Sequence, residues 1–345
     1  MKKLILKRAG LRLLLFAICG LYIPALLIWN SLIIYFTFHQ LISKLCILIY
    51  ILGTAGLFLF QKNTKSSLKI FSSVSILIIF WFLFLPATND KNWAAECAKL
   101  PQITQSENKI SVDNFRHFIY EENTILENYR SQDFDLDQLE GTDLIISYWD
   151  NFRSIGHTFL SFRFKNGQNL AVSLEVRKEV GESYHPARGL FKQFELIYIF
   201  GDERDLIPLR TEVRHEQTFL YPMKLNVEHS KLLLLDIIKT ANDLHDKPQF
   251  YHTFGRNCTT GMIDHLNSIG DFDIPFSKKV LLNGVSDFYA YELGGLPNDL
   301  PFDILKRSCY VSDTVQGIPL NEEFSLKLRK IINNKLKKER GSIEN

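Results

Sequence analysis

The chain has 345 residues, enough for one or two domains, with 40 Lys or Arg against 38 Asp or Glu. The charge is unevenly placed: nine basic residues lie before residue 88 and no acidic one before Asp90, so residues 88–345 hold 31 basic and 38 acidic groups, net −7 with His neutral. An acidic soluble part lacks the basic footprint of a nucleic-acid reader, which excludes nucleic acid as its main partner.

Three apolar runs open the chain. Leu13–Phe38 contains no charged residue and exceeds the ~20 apolar residues that a membrane span needs. Its Pro24 is tolerated in a membrane helix. Leu41–Phe60 is a second span, with Lys44 near one end where it can snorkel. Ile70–Pro86 is a third, short but apolar, with Trp81 near its end. A single such run also suits a buried core helix; three in succession argue for a membrane segment over 1–90. A cleaved signal peptide is the alternative for the start, but the first run is too long for it and no small-residue cleavage site ends it. Lys2, Lys3, Lys7, Arg8 and Arg12 precede the first span, and Lys62, Lys65 and Lys69 follow the second. Basic loops face the cytoplasm, so three spans leave residues from Asp90 onward outside, whereas two spans would reverse this.

Residues 91–320 show no linker or internal repeat and read as one α+β domain. Residues 111–138 contain polar, acidic, helix-like stretches. Strand signals follow at Asp143–Trp149, His157–Phe164 and Asn169–Arg177, the last two joined at Lys165-Asn166-Gly167 as an antiparallel β-hairpin. Phe194–Phe200 is another strand, and Phe219–Leu225 resembles one more. Residues 227–246 have a broad apolar face built from Leu232–Leu235, Ile237, Ile238, Ala241 and Leu244, with Pro248 after its end, which predicts a helix. Cys258–Ser268 is the next helix, and the chain past Asp271 is rich in loops. Residues 321–345 form a basic helical tail, either lying on anionic headgroups or solvated at the surface.

Five cysteines are few. Cys19 and Cys46 fall in spans. Cys97 and Cys309 lie near the two ends of the soluble domain and either pair or, with Cys258, stay reduced.

The chemistry-bearing pattern is Tyr251-His-Thr-Phe-Gly-Arg-Asn-Cys258-Thr-Thr-Gly. A cysteine at a helix N-terminus has its thiolate favoured by free backbone N–H groups and the helix dipole. Those N–H groups suit an oxyanion hole, with Asn257, Tyr251 and Arg256 as supporting candidates. A buried structural cysteine is the alternative, and the polar Asn-Cys-Thr-Thr context argues against it. A cysteine nucleophile needs a base. His157 starts a strand after Ser154-Ile155-Gly156; His252 is its rival. His265 lies seven residues beyond Cys258 on the same predicted helix, about 10 Å away and out of reach. Turn geometry decides the third member. A three-residue turn at 165–167 sets His157 opposite Glu175, which would orient the imidazole; a two-residue turn sets it opposite Val176 and turns Glu175 away.

The runs G-H-T-F-L-S-F-R-F, L-A-V-S-L-E-V-R, F-E-L-I-Y-I-F-G-D-E-R-D and R-N-C-T-T resemble a family of bacterial periplasmic domains. That domain also forms the N-terminal part of the Bacteroides lipoprotein N-acyltransferase, and the resemblance runs from about 114 to 270. His157 and Cys258 stand where that family has its catalytic histidine and cysteine. The order of the two is similar to circularly permuted papain-like (NlpC-type) folds, including the lecithin:retinol acyltransferase group. The resemblance implies an acyl-enzyme on Cys258, formed from phospholipid or lipoprotein acyl groups. Here the spans precede the domain and no hydrophobic segment follows it, which weighs against transfer to a lipoprotein amine. Two other functions stay open: a papain-like cell-wall peptidase or amidase, and a non-catalytic membrane scaffold. No metal-ligand spacing, phosphate loop or dinucleotide fingerprint is present, so no cofactor or metal is expected. The expected partners are membrane lipid and lipoproteins.

Overall fold

The computed structural model describes residues 2–121, 124–149, 155–270, 272–275, 277, 279 and 283–343. Ser154, the side chain of Cys19 and tail residues 344–345 lie outside the described residues. The chain divides into two compact units: Met1–Ala87 with His185–Gln193, and Thr88–Tyr184 with Phe194–Asn345.

The first unit holds helices α1 (Lys2–Thr37), α2 (Gln40–Phe60) and α3 (Thr64–Leu83). All three are long and apolar enough to cross a membrane. The third starts at Thr64 rather than Ile70, because Asn63 caps it through the N–H groups of Lys65 and Ser66. It ends at Leu83, before Pro86. Asn30 Nδ2 donates to Tyr50 Oη at 2.9 Å, and Tyr50 lies 2.9 Å from Ser75 Oγ, so one polar chain ties the three helices together. The 185–193 segment belongs to this unit. Phe191 stacks on Phe36 at 4.9 Å and is buried, and Lys192 Nζ donates to the Leu83 and Leu85 carbonyls. Those acceptors lie at the C-terminal end of α3, where carbonyls have no partner within the helix.

The second unit is built on strands β1 (Gln102–Ser106), β2 (Lys109–Arg116), β5 (Tyr129–Asp135), β6 (Leu139–Tyr148), β7 (Gly156–Phe164), β8 (Asn169–Arg177), β9 (Glu195–Gly201) and β10 (Gln217–Pro222), with β3 (Ile119–Glu121) and β4 (Thr124–Leu126) as a separate ribbon. The main order is β1-β2-β9-β8-β7-β6-β10, with β5 also on β2. Neighbours are antiparallel except for one parallel bridge, Arg116 to Gly201.

Residues 111–138, expected to hold helix-like stretches, are mainly strand where described, with helix only in the 3₁₀ turn Leu136–Gln138. Ile110 and Val112 are buried between exposed or half-exposed Lys109, Ser111 and Asp113, a period of two. A bulge then shifts the register between Val112 and Phe115, with Asn114 at φ 59°. The extra residue flips the parity of the strand, so the alternation breaks halfway along.

Helix α6 (Val227–Asp246) and helix α7 (Cys258–Ser268) pack on the sheet. At Gly261 the approach is so close that a Cβ would stand 2.4 Å from Leu174 Cδ1. Thr158 faces α7 through Thr259, and Ser161, three residues along the same strand, faces the opposite side. There Ser161 and α5 (Glu203–Pro208) meet the C-terminal helix (Phe324–Ile343). Short helices at Ser286–Glu292, Phe302–Ser308 and Ser312–Val315 complete the loop-rich stretch.

The basic tail is part of this unit rather than an appendage. Phe324, Leu328, Ile332 and Leu336 recur every four residues and are at most 2% exposed. Arg329 bonds Asp143 at 2.8 Å and also Glu203, itself bonded by Ser161. Its exposed lysines mask this apolar stripe in the sequence. Cys97, Cys258 and Cys309 are all buried free thiols, so the Cys97–Cys309 pairing does not form.

Leu328→Ala should therefore lower unfolding stability by about 2–5 kcal/mol, as for a fully buried leucine. Leu326→Ala, at a position 67% exposed, should change it by no more than about 0.5 kcal/mol. Denaturant unfolding of the purified chain in detergent compares the two; equal losses would contradict the packed-helix arrangement.

Candidate active site

The hairpin between β7 and β8 turns through Lys165-Asn166-Gly167, with Gly167 at φ 87°, where glycine alone is unstrained. The Gly167 N–H returns to the Phe164 carbonyl at 3.0 Å, and the Phe164 N–H donates to the Gln168 carbonyl at 3.0 Å. The ladder runs from Arg163–Asn169 to Leu160–Val172. That register, continued to the strand end, sets His157 opposite Glu175. Their side chains meet: His157 Nε2 lies 3.0 Å from Glu175 Oε1 and 2.6 Å from Ser173 Oγ. Ser173 Oγ donates in turn to Glu175 Oε1 at 2.8 Å.

With Nε2 engaged by Glu175 and Ser173, Nδ1 is the ring nitrogen left over, and the charges of His157 and Cys258 act on each other. The β7–β8 ladder stops short of Thr158, whose backbone helps to lower the Cys258 thiol. The two residues come from a strand and a helix about 100 positions apart. Asn257 fixes the helix end: its side chain accepts from Thr259 and Thr260 N–H, both at 2.9 Å, and its amide donates to the Thr253 carbonyl. Thr260 Oγ1 closes a capping box by accepting from Asn257 N–H at 2.8 Å.

The electrostatics favour an ion pair. Burial pushes the Cys258 thiol up, but the His157 imidazolium and the Thr158 backbone together bring it below its ordinary value. Burial pushes His157 down, and Glu175 overrides it and raises the imidazole to about 8. Burial likewise pushes Glu175 up, but His157 and Arg210 hold it well below the usual carboxylate range. Arg210 is buried and donates to Glu175 at 2.6 Å, with Glu216 at 3.6 Å on its other side.

Arg210 and Ser173 were not visible as site residues in the sequence. Arg210 lies on a π-helical turn, Leu209–Val213, that follows Pro208 directly. Pro208 has no N–H to continue the α-helical pattern, and the Arg214 N–H reaches back five residues to the Leu209 carbonyl at 3.1 Å. Turns of this kind are frequent at functional sites.

The supporting residues divide. Tyr251 is buried and lines the same cavity as His157, a space of about 280 Å³. Burial first, and then the Cys258 charge, raise its phenol well above the ordinary value, so it stays a proton donor. Asn257 spends its side-chain oxygen on the cap, which takes the N–H groups of Thr259 and Thr260, and its amide N–H on the Thr253 carbonyl. Arg256 is exposed and acts on Tyr198, Asp264 and His265. His252, the rival base, is exposed, and its Nδ1 accepts from Phe254 and Gly255 N–H. His265 instead bonds Tyr198 at 2.7 Å and Asp236 at 2.6 Å.

Residues 126–284 match the family described as the Lnb N-terminal periplasmic domain, the family that the motifs resemble. The match spans His157, Ser173, Glu175, Arg210, Tyr251 and Cys258. Together with the three apolar helices it describes a membrane-anchored protein with a periplasmic domain. No curated protein and no solved structure matches the chain.

Alkylation of Cys258 across pH, read peptide by peptide with mass spectrometry, should show a midpoint below the ordinary thiol value of about 8.5. In His157→Ala the midpoint should rise above it, because burial is then opposed only by the Thr158 backbone. Glu175→Gln should also raise it, since a buried imidazole without its carboxylate loses the proton that holds the thiolate. A profile identical in all three proteins would exclude the ion pair.

Proposed function

We propose that the periplasmic domain is a thiol acyltransferase or acyl hydrolase, acting on phospholipid or lipoprotein acyl groups through a Cys258 acyl-enzyme. The observation that carries this reading is the unbroken line Cys258–His157–Glu175–Arg210, with His157 opening onto the cavity. A strand histidine beside a cysteine at a helix N-terminus also fits a permuted papain-like arrangement.

The chemistry follows from the charges. The Cys258 thiolate attacks the carbonyl carbon of an acyl ester, forming a C–S bond. The developing oxyanion takes the hydrogen bond of a donor such as Tyr251. The C–O bond then breaks, and imidazolium His157 gives its proton to the departing alkoxide. Neutral His157 next takes a proton from the acceptor, water in a hydrolase or an amine or alcohol in a transferase. The acceptor attacks the thioester and releases the thiolate, with the proton back on His157. Glu175 stabilises the imidazolium in both halves, as the third member of a triad does.

The cavity mixes polar and apolar walls, with Trp149, Leu174, Ile199 and Leu209 among the latter. In sequence, its wall residues Glu182, Ser183 and Tyr184 run directly into His185–Gln193, which belongs to the helical unit. A catalytic thiol tethered by three spans meets bilayer substrates at high local concentration. In this reading the protein is a multi-pass protein of the inner membrane with its domain in the periplasm, which the basic residues around the first two spans support as an orientation.

Intact mass spectrometry of the detergent-purified protein incubated with phospholipid should show an acyl adduct that Cys258→Ser abolishes while the fold is retained. Acylation should decline as pH rises through about 8, where His157 loses its proton. An activated thiol that takes no acyl group from lipid or lipoprotein, but is acylated by cell-wall peptide, would replace this reading with the peptidase one.

A reporter fused after Asn345 should behave as periplasmic. Cytoplasmic behaviour would reverse the orientation.

A further inference from the structure

Four cations line the cavity that His157 shares: Arg116, Lys178, Arg210 and Arg214. Three of them face carboxylates at ion-pair distance. Arg116 binds Asp205 through two bonds of 2.9 Å, Lys178 binds Glu96 at 2.8 Å, and Arg210 binds Glu175 at 2.6 Å. Among the described residues the Arg214 guanidinium makes no hydrogen bond or ion pair. It is exposed, and it caps the π-helical turn that carries Arg210. The turn thus presents two arginines four positions apart, one spent on the catalytic carboxylate and one open to the cavity.

We propose that Arg214 binds the phosphate of a phospholipid headgroup whose acyl ester is presented to Cys258. This rests on the acyl-enzyme reading and names its substrate class. A phosphodiester carries one negative charge and oxygen acceptors, and a guanidinium meets it with two parallel donors. In the free protein Arg210, and then burial, lower the Arg214 guanidinium. An anion at this position relieves the repulsion between the two cations. The glycerol backbone separates phosphate from ester by only a few bonds. The cavity, at about 280 Å³, has room for that backbone but not for the acyl chains.

The experiment uses the full chain in a neutral detergent. Equilibrium binding is measured for glycerophosphoglycerol, inorganic phosphate and glycerol, in the wild type, Arg214→Gln and Arg214→Lys. Glycerophosphoglycerol should bind saturably and glycerol should not. Arg214→Gln should weaken binding about tenfold, the scale of one charge-assisted pair at a half-open site, and Arg214→Lys should keep part of it. A second reading compares Cys258 alkylation by anionic iodoacetate and neutral iodoacetamide. The ratio of the two rates should fall about two- to fivefold in Arg214→Gln. Binding that is indifferent to Arg214→Gln overturns the proposal, whatever the thiol does. Inorganic phosphate binding as tightly as glycerophosphoglycerol overturns the headgroup assignment in favour of free phosphate. Arg214-dependent binding by a protein that forms no acyl adduct supports the anion site while removing the acyl-enzyme reading.

Discussion

Glu175 lies between two cations, and the state of Cys258 depends on its remaining ionised. The imidazole of His157 is buried, and burial alone would leave it neutral. A neutral imidazole would leave the buried thiol protonated. Glu175 prevents both outcomes, and it is itself kept ionised by His157 on one side and Arg210 on the other. Arg210 also opposes the imidazolium directly, since both are positive. Glu216 on its far side tempers that opposition. The site is therefore a row of alternating charges in which each group is stabilised by its neighbours, and removal of one leaves an uncompensated charge behind.

The row depends on strand register. Had the hairpin turned through two residues, Val176 would stand opposite His157, and Glu175 would point to the other face. The three-residue turn, with Gly167 in the left-handed region, sets the distance between imidazole and carboxylate. The β7–β8 ladder then ends before Thr158, so the Thr158 backbone is not spent on β8 and helps to lower the Cys258 thiol. Helix α7 is held as firmly. Asn257 caps it, Gly261 lets it close on Leu174, and His265 joins it to Tyr198 on β9 and Asp236 on α6. The cap that fixes Cys258 takes the N–H groups of Thr259 and Thr260, while Tyr251 stands as a buried hydroxyl on the cavity wall.

Legibility in the sequence followed local pattern. The hairpin strands and the two helices after them were readable because their periods of 2 and 3.6 run unbroken, and the turn residues mark their ends. His157 and Cys258 were readable as residue types in the right local setting, but their proximity came from the resemblance and not from spacing. The β2–β5 region was not readable because the bulge at Asn114 flips the parity halfway along β2. The C-terminal helix was misread as a tail because its buried stripe of Phe324, Leu328, Ile332 and Leu336 is embedded among lysines. Arg210 carried no local signal at all. It sits on a π-helical turn, and a turn of five residues has no counterpart in a pattern read at 3.6.

The same turn explains why two arginines with the same side chain have different electrostatic positions. In an α-helix residues four apart share a face, and two guanidinium groups there would repel each other with nothing gained. In the wider turn Arg210 is 3% exposed while Arg214 is exposed at the cap. Burying the first beside Glu175 and Glu216 gives it carboxylate partners. The second lines the cavity with a guanidinium that makes no hydrogen bond or ion pair among the described residues. A fold that selected only for stability would pair Arg214 or replace it, since unpaired like charges cost free energy. Arg214 instead leaves a positive charge on the wall of the cavity that His157 also lines, which is what an anionic ligand there would meet.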